Sequence, residues 1–159
     1  MTSWPALYEG VDPAAQAAVR AYCGWHIAPS LSETLVLDGT GARAFILPTL
    51  HLTSIETLKV NGQEVTLPVE FSRAGIVRYP TPDKLGAIEI TFTHGYSSED
   101  LADLKAIMPG VAKLVKLQGG SARIGQVQFS TGALNVGGLD AHSAGVLDRY
   151  ARPLRAGVL

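Results

Sequence analysis

The chain has a single cysteine, Cys23, among its 159 residues. A lone thiol excludes an internal disulfide framework and fits a reducing compartment. Long apolar runs are also missing. None approaches the ~18 residues that a membrane span requires, so no membrane partner is expected. The opening residues, Met1-Thr2-Ser3-Trp4-Pro5, lack the basic region and apolar stretch of a secretory leader. Charge is scarce: 17% of residues are charged and 47% are apolar. That balance belongs to globular proteins and lies far from disorder.

Chemical motifs are absent as well. His26, His51, His94 and His142 never pair at i,i+3 or i,i+4 with another ligand type. They read as surface or strand-end residues, with His94 ending the last strand. Cys23 falls on the apolar face of a helix beside Tyr22, where a buried, inert thiol is expected rather than a nucleophile. Gly39-Thr40-Gly41 lacks the third glycine of a dinucleotide fingerprint. Residues 119–125 lack the Lys-Ser/Thr pair of a P-loop and fail the nucleophile-elbow pattern. Neither enzymatic activity nor a cofactor or metal is expected.

The residues that are present organise into short helices around a β-rich middle. Asp12 is suited to an N-cap, Pro13 to the first helical position and Gly24 to the C-terminal stop, which bounds a helix over 12–24. Ala15, Val19, Tyr22 and Cys23 share its apolar face, and Trp25 can fold back on it. Residues 33–95 form a β insertion. Thr34-Leu35-Val36-Leu37 runs into Asp38-Gly39-Thr40-Gly41, read as a turn, and Asn61-Gly62 predicts a type I′ hairpin. A second hairpin is expected around Ala74-Gly75. In residues 87–93, Ile88, Ile90 and Phe92 alternate with Glu89, Thr91 and Thr93, so one face is dry and the other wet. A second helix spans 98–118, capped by Ser97 or Ser98. Pro109-Gly110 inside it predicts a kink or a junction of two helices. Residues 119–138 include six glycines and read as an extended loop. A last helix occupies 140–151, capped by Asp140, and 152–159 is a tail. The fold class is α+β in a single domain, 1–159. It is a small helical bundle with a β-rich insertion between the first and second helices, a long Gly-rich loop, and a C-terminal helix plus tail.

Two segments ask for a partner. In the loop, Arg123, Ile124, Gly125, Gln126, Val127, Gln128 and Phe129 read either as a mobile surface loop or as a short strand awaiting a sheet edge. Near the C-terminus, Arg149, Tyr150, Arg152, Pro153, Leu154 and Arg155 read either as a solvated basic end or as an interface. Residues 1–100 carry a net −5 and residues 101–159 a net +4. This is either chance or a front and back that meet in head-to-tail contacts.

Several stretches together resemble the head–tail connector (adaptor, or head-completion) proteins of long-tailed phages, of the actinobacteriophage type. They are Val19-Arg20-Ala21-Tyr22-Cys23-Gly24-Trp25-His26-Ile27, Thr34-Leu35-Val36-Leu37-Asp38-Gly39, Leu47-Pro48-Thr49-Leu50-His51-Leu52, Ile90-Thr91-Phe92-Thr93-His94-Gly95-Tyr96, the loop from Ser121 to Phe129, and Leu147-Asp148-Arg149-Tyr150-Ala151-Arg152-Pro153. The resemblance implies a homo-oligomeric ring, read as a dodecamer, beneath the portal protein at the capsid vertex. It implies a further contact with the next neck protein and a lumen that passes DNA without binding it specifically. The C-terminal residues named above would be portal-binding, and Arg123 to Phe129 an inter-subunit or neck contact. The location implied is the virion, with assembly in the host cytoplasm. The family pattern calls for an uninterrupted helix where this chain has Pro109-Gly110. The competing readings are a monomeric protein- or peptide-binding module using an exposed sheet edge and, more distantly, a small hydrolase with a scattered site.

Overall fold

The computed structural model describes residues 4–122 and 136–152. These divide into two compact units, one built from residues 4–29 and 97–152, the other from residues 30–96. The class is α+β, with the β-rich segment inserted between the first and second helices.

In the helical unit, α1 spans Pro13–Cys23. The Asp12 side chain accepts from the Ala14 N–H at 2.9 Å. Gly24 closes the helix in the left-handed region at φ +81°, and its N–H reaches the Arg20 carbonyl at 2.8 Å. Ala15, Val19 and Cys23 are fully buried, as their shared face requires, whereas Tyr22, expected on the same face, is only half-buried. Gln16 is buried with them, and its amide is spent on the backbone: it accepts from Leu7 N–H at 2.7 Å and donates to the carbonyls of Tyr8 and Val11. A 3₁₀ turn, Ser98–Leu101, is capped by Ser97 and leads into α2, Ala102–Ala122. A second 3₁₀ turn, Val136–Gly138, precedes α3, Ala141–Tyr150. The Asp140 carboxylate caps α3 by accepting from Ser143 N–H at 2.7 Å.

Of the two expectations at Pro109, the junction of two helices is not found: α2 is one continuous helix through it. The proline removes the bond to the Lys105 carbonyl. Lys105, Pro109 and Gly110 all lie on the exposed side, so water can satisfy that carbonyl. Leu104, Ile107, Met108 and Val111 hold the opposite side in the core. The helix also runs past Gln118 to Ala122, so the Gly-rich stretch begins as helix. The rest of that expected loop, residues 123–135, lies outside the described residues.

The second unit contains a four-stranded antiparallel sheet, order β1-β7-β3-β4, and a three-stranded sheet, order β2-β6-β5. The strands are β1 Leu31–Thr40, β2 Phe45–Ile46, β3 Leu52–Val60, β4 Gln63–Glu64, β5 Glu70–Phe71, β6 Ile76–Arg78 and β7 Asp83–His94. Ile88, Ile90 and Phe92 from β7 join Leu58, Phe45 and Val77 in one core. The other face of β7 is wet, as the alternation predicts. Thr91 hydrogen-bonds Thr34 at 2.7 Å, Thr93 donates to Glu56, and Glu89 meets Lys59 at 3.7 Å. The β3–β4 turn carries Asn61 at φ +54° and Gly62 at φ +76°, the pair of positive angles a type I′ turn needs. The second hairpin is β5–β6.

Asp38-Gly39 is not a turn. Strand β1 passes through it to Thr40, and the register with β7 shifts between Leu37 and Gly39. The Asp38 carboxylate accepts from Gly86 N–H at 2.7 Å. At Gly39 the backbone of Pro82 comes so close that an added Cβ would sit 2.0 Å from its carbonyl oxygen. Glycine and a turn-forming residue serve here as a β-bulge. The histidine reading is corrected too: His26 and His94 are fully buried. His94 does end β7, and its Nε2 lies 2.8 Å from Glu33 Oε1. Burial pushes the His94 pKa down to about 4, so at neutral pH a neutral imidazole donates this bond.

Two expectations follow. Gly39→Ala forces overpacking against backbone and is expected to lose about 1–3 kcal/mol. Gly110→Ala, with open space around its Cβ, is expected to gain about 0.5–1 kcal/mol. Urea unfolding midpoints moving in the same direction would refute this pair. For His94 the folded pKa lies below the unfolded value near 6.5, so the unfolded chain binds more protons between those values. Stability is therefore intact above pH 6.5 and falls as pH drops toward 4, by up to ~3 kcal/mol. His94→Gln should flatten that slope in unfolding measured across the window.

Candidate functional site

The strongest convergence in the helical unit is at the C-terminal turn of α3. It brings together two of the stretches that carry the family likeness, 19–27 and 147–153. The indole N–H of Trp25 donates to the Tyr150 carbonyl at 2.7 Å. The Tyr22 hydroxyl donates to the Asp148 carboxylate, and this bond pushes its pKa up to about 12. Cys23 Sγ faces the Leu147 carbonyl at 3.7 Å. Past the helix, Arg152 N–H donates to the Cys23 carbonyl at 2.9 Å, and its guanidinium reaches the Gly24 carbonyl at 3.2 Å. The chain thus leaves α3 along the C-terminal end of α1.

Asp103, in the first turn of α2, closes the other side. Its carboxylate accepts from Arg149 Nη1 at 2.7 Å and from the Tyr150 hydroxyl at 2.9 Å. Tyr8 lies nearby, its hydroxyl donating to the Leu101 carbonyl at 2.7 Å. Burial, with Tyr150 and Asp103 adding to it, raises the Tyr8 pKa. Cys23 is buried and its pKa is pushed up to about 12, first by desolvation, so the thiol is held protonated and unreactive at neutral pH.

Among the sequence-predicted interface residues, Tyr150 is buried and bonded inside the unit. Arg149 keeps 64% of its side-chain surface exposed while holding Asp103, so its remaining N–H donors face solvent. Arg152 is half-buried against α1. Pro153, Leu154 and Arg155 lie outside the described residues, as do Arg123, Ile124, Gly125, Gln126, Val127, Gln128 and Phe129. Two residues with central positions were read only locally or not at all. Asp103 looked like a helix-dipole residue, and nothing in its neighbourhood announces partners from the far end of the chain. Arg20 carries no motif, yet it donates to the carbonyls of Pro5, His26 and Ala28 at 2.6–2.8 Å. Among the described residues no group of three His, Cys, Asp or Glu could hold a metal.

What this geometry defines is a two-unit α+β subunit whose polar side chains serve as struts and whose last helix delivers the chain to one end of α1. The family model of the head completion proteins matches residues 10–112, well over half of the chain, and the chain belongs to that family of phage-type head–tail structural proteins. Among solved structures, the fold is similar to a chain in the neck of a native GTA particle computed with C12 symmetry. The TM-score is 0.57 at 18% identity, covering 91% of this chain and 81% of that one. No curated protein matches the chain in sequence.

The Asp103 cluster makes a graded prediction. Arg149→Ala should cost under about 1 kcal/mol, since the pair is largely exposed. Asp103→Ala leaves the buried Tyr150 hydroxyl without its acceptor and should cost about 1–3 kcal/mol. The double variant Asp103→Ala/Tyr150→Phe should be less destabilised than the sum of its parts. Strict additivity in denaturant unfolding would show that the hydroxyl does not depend on this carboxylate.

Proposed function

We propose that this protein is a virion head-to-tail adaptor. Copies form a ring, a dodecamer, beneath the portal protein, extend the DNA channel and link the capsid vertex to the neck and tail. The single observation that carries the reading is the family match over residues 10–112. The fold shared with a chain from a neck of twelvefold symmetry supports it. The role is structural, without catalysis or cofactor. Assembly takes place in the host cytoplasm and the product resides in the virion. The C-terminal segment, with Arg149, Tyr150, Arg152, Pro153, Leu154 and Arg155, meets the portal. Residues 123–129 meet a neighbouring subunit or the next neck protein. DNA passes through the lumen without specific binding.

The physical support is the way α3 ends. Tyr150 and the backbone of Arg152 are fixed by Asp103 and Cys23, while most of the Arg149 side chain points to solvent. A rigid base with an exposed guanidinium is suited to offering the following residues to a partner, because little further order is lost at the junction on binding. The competing monomeric module has one observation in its favour: among the described residues, β1 is a ten-residue strand at the edge of its sheet, the geometry that strand addition uses.

Removing residues 153–159 spares every described contact. The shortened chain is therefore expected to keep its circular dichroism and unfolding midpoint but to lose attachment to purified portal, seen by negative-stain imaging and co-sedimentation. Undiminished attachment would contradict the portal role of the tail. A full-length chain that stays monomeric at high concentration with portal present, and forms no ring, would favour the module.

A further inference from the structure

Helix α2 turns different side chains in three directions. Leu104, Ile107, Met108 and Val111 enter the core. Asp103 faces α3, where Arg149 and Tyr150 hold it, and Leu114 lies against Gly138. The remaining side carries Lys105, Lys113 and Lys116, all exposed. At about 100° per residue the three fall within about 80° of one another, and at 1.5 Å per residue the row is about 17 Å long. Asp103 is the one carboxylate in the helix and it points to α3, so the row contains no acid. Ala106 and Pro109, exposed and compact, stand among the lysines and leave the surface between them flat.

Among the described residues none of the three forms an ion pair. The Lys105 ammonium lies 5.8 Å from the centre of the Tyr8 ring, which steers the charge and leaves its N–H donors for an anion. Lys113 and Lys116, three residues apart, repel each other until something anionic comes near. The make-up of the row separates a polyanion from a protein surface. Protein interfaces are centred on aromatic, Met and Arg anchors and are depleted in lysine. Here the one large apolar side chain left exposed on the helix is Leu117, at the margin of the row. Lysine is a point charge on a flexible stem, and it binds phosphate without demanding a fixed geometry. Double-stranded DNA offers one phosphate per ~3.4 Å along each strand, so a row of this length spans several. The row holds no Arg, Asn or Gln to read base edges.

We infer that the lysine face of α2 is a contact surface for the phosphate backbone of double-stranded DNA, independent of sequence. DNA is named on the strength of the proposed head-to-tail role, while the anion-binding face itself is read from α2 alone. Three point charges per copy hold a duplex weakly, and DNA held only by such contacts can slide. Ring formation and portal attachment are measured separately, so either reading can fail while the other stands.

The test is an amide NMR titration of the full-length chain with short DNA duplexes at low salt, which detects weak contacts and locates them. Shifts are expected along Lys105 to Lys116, alike for two duplexes of unrelated sequence, and are expected to vanish as salt is raised. Lys105→Gln/Lys113→Gln/Lys116→Gln should weaken binding about tenfold or more at low salt and reduce the slope of log K against log salt by about 3. Its amide spectrum away from α2 should stay that of the parent. Arg43→Gln/Arg73→Gln/Lys84→Gln removes the same charge from exposed positions of the β unit and should bind as the parent does. The inference is overturned by the absence of shifts on α2 at the lowest salt, or by equal weakening in both triple variants, which would reduce the effect to overall charge. A polyglutamate peptide that binds the α2 face more tightly than the duplex also overturns it, in favour of an acidic protein surface.

Discussion

The helical unit depends on one constraint: the last turn of α3 and the last turn of α1 complete each other. Helix ends leave carbonyls without partners. Here Trp25 satisfies the carbonyl of Tyr150, and the backbone and guanidinium of Arg152 satisfy those of Cys23 and Gly24. Each helix thus supplies donors to the other's terminal carbonyls. The left-handed Gly24 makes this possible, because a stop at that point turns Trp25 back toward the neighbouring helix. From this contact follow the burial of Cys23 and Leu147, the seating of Tyr150 on Asp103, and the place at which the chain emerges.

Much of the architecture could be read from the sequence because it is decided locally. The Asp12, Ser97 and Asp140 caps, the Gly24 stop and the Asn61-Gly62 turn each rest on a few adjacent residues, and each is found. The dry row of Ile88, Ile90 and Phe92 likewise needs only alternation. The failures share a different cause. Asp38-Gly39 has turn chemistry, but the opposing backbone at Pro82 and the Gly86 N–H convert it to a bulge. Pro109 could have divided the segment into two helices, but a core on the far side and water on the near side let α2 continue through it. His94 does end its strand as read, but its burial and its pairing with Glu33 across the sheet were not visible. In every case the deciding partner is distant in the chain.

The candidate interface was legible to a similar extent. Arg149 and Tyr150 were singled out as the kind of residues that anchor contacts, and both do make directed contacts, to Asp103 within the same unit. A polar side chain can be recognised as a strut or an anchor from its chemistry, but which of the two it is depends on what faces it. Arg20 shows the limit: a guanidinium that ties three carbonyls together carries no sequence signature beyond its charge. Family membership rests on residues 10–112, a span that takes in α1, both sheets and the first half of α2. It therefore depends on the scaffold and not on the segments that would meet partners.

The sealed state of Cys23 has a chemical consequence. Its sulfur lies between α1 and the carbonyl of Leu147 and stays protonated. Oxidants and thiol reagents thus find no thiolate on the folded subunit. Cross-linking through sulfur therefore requires this part of the helical unit to open first.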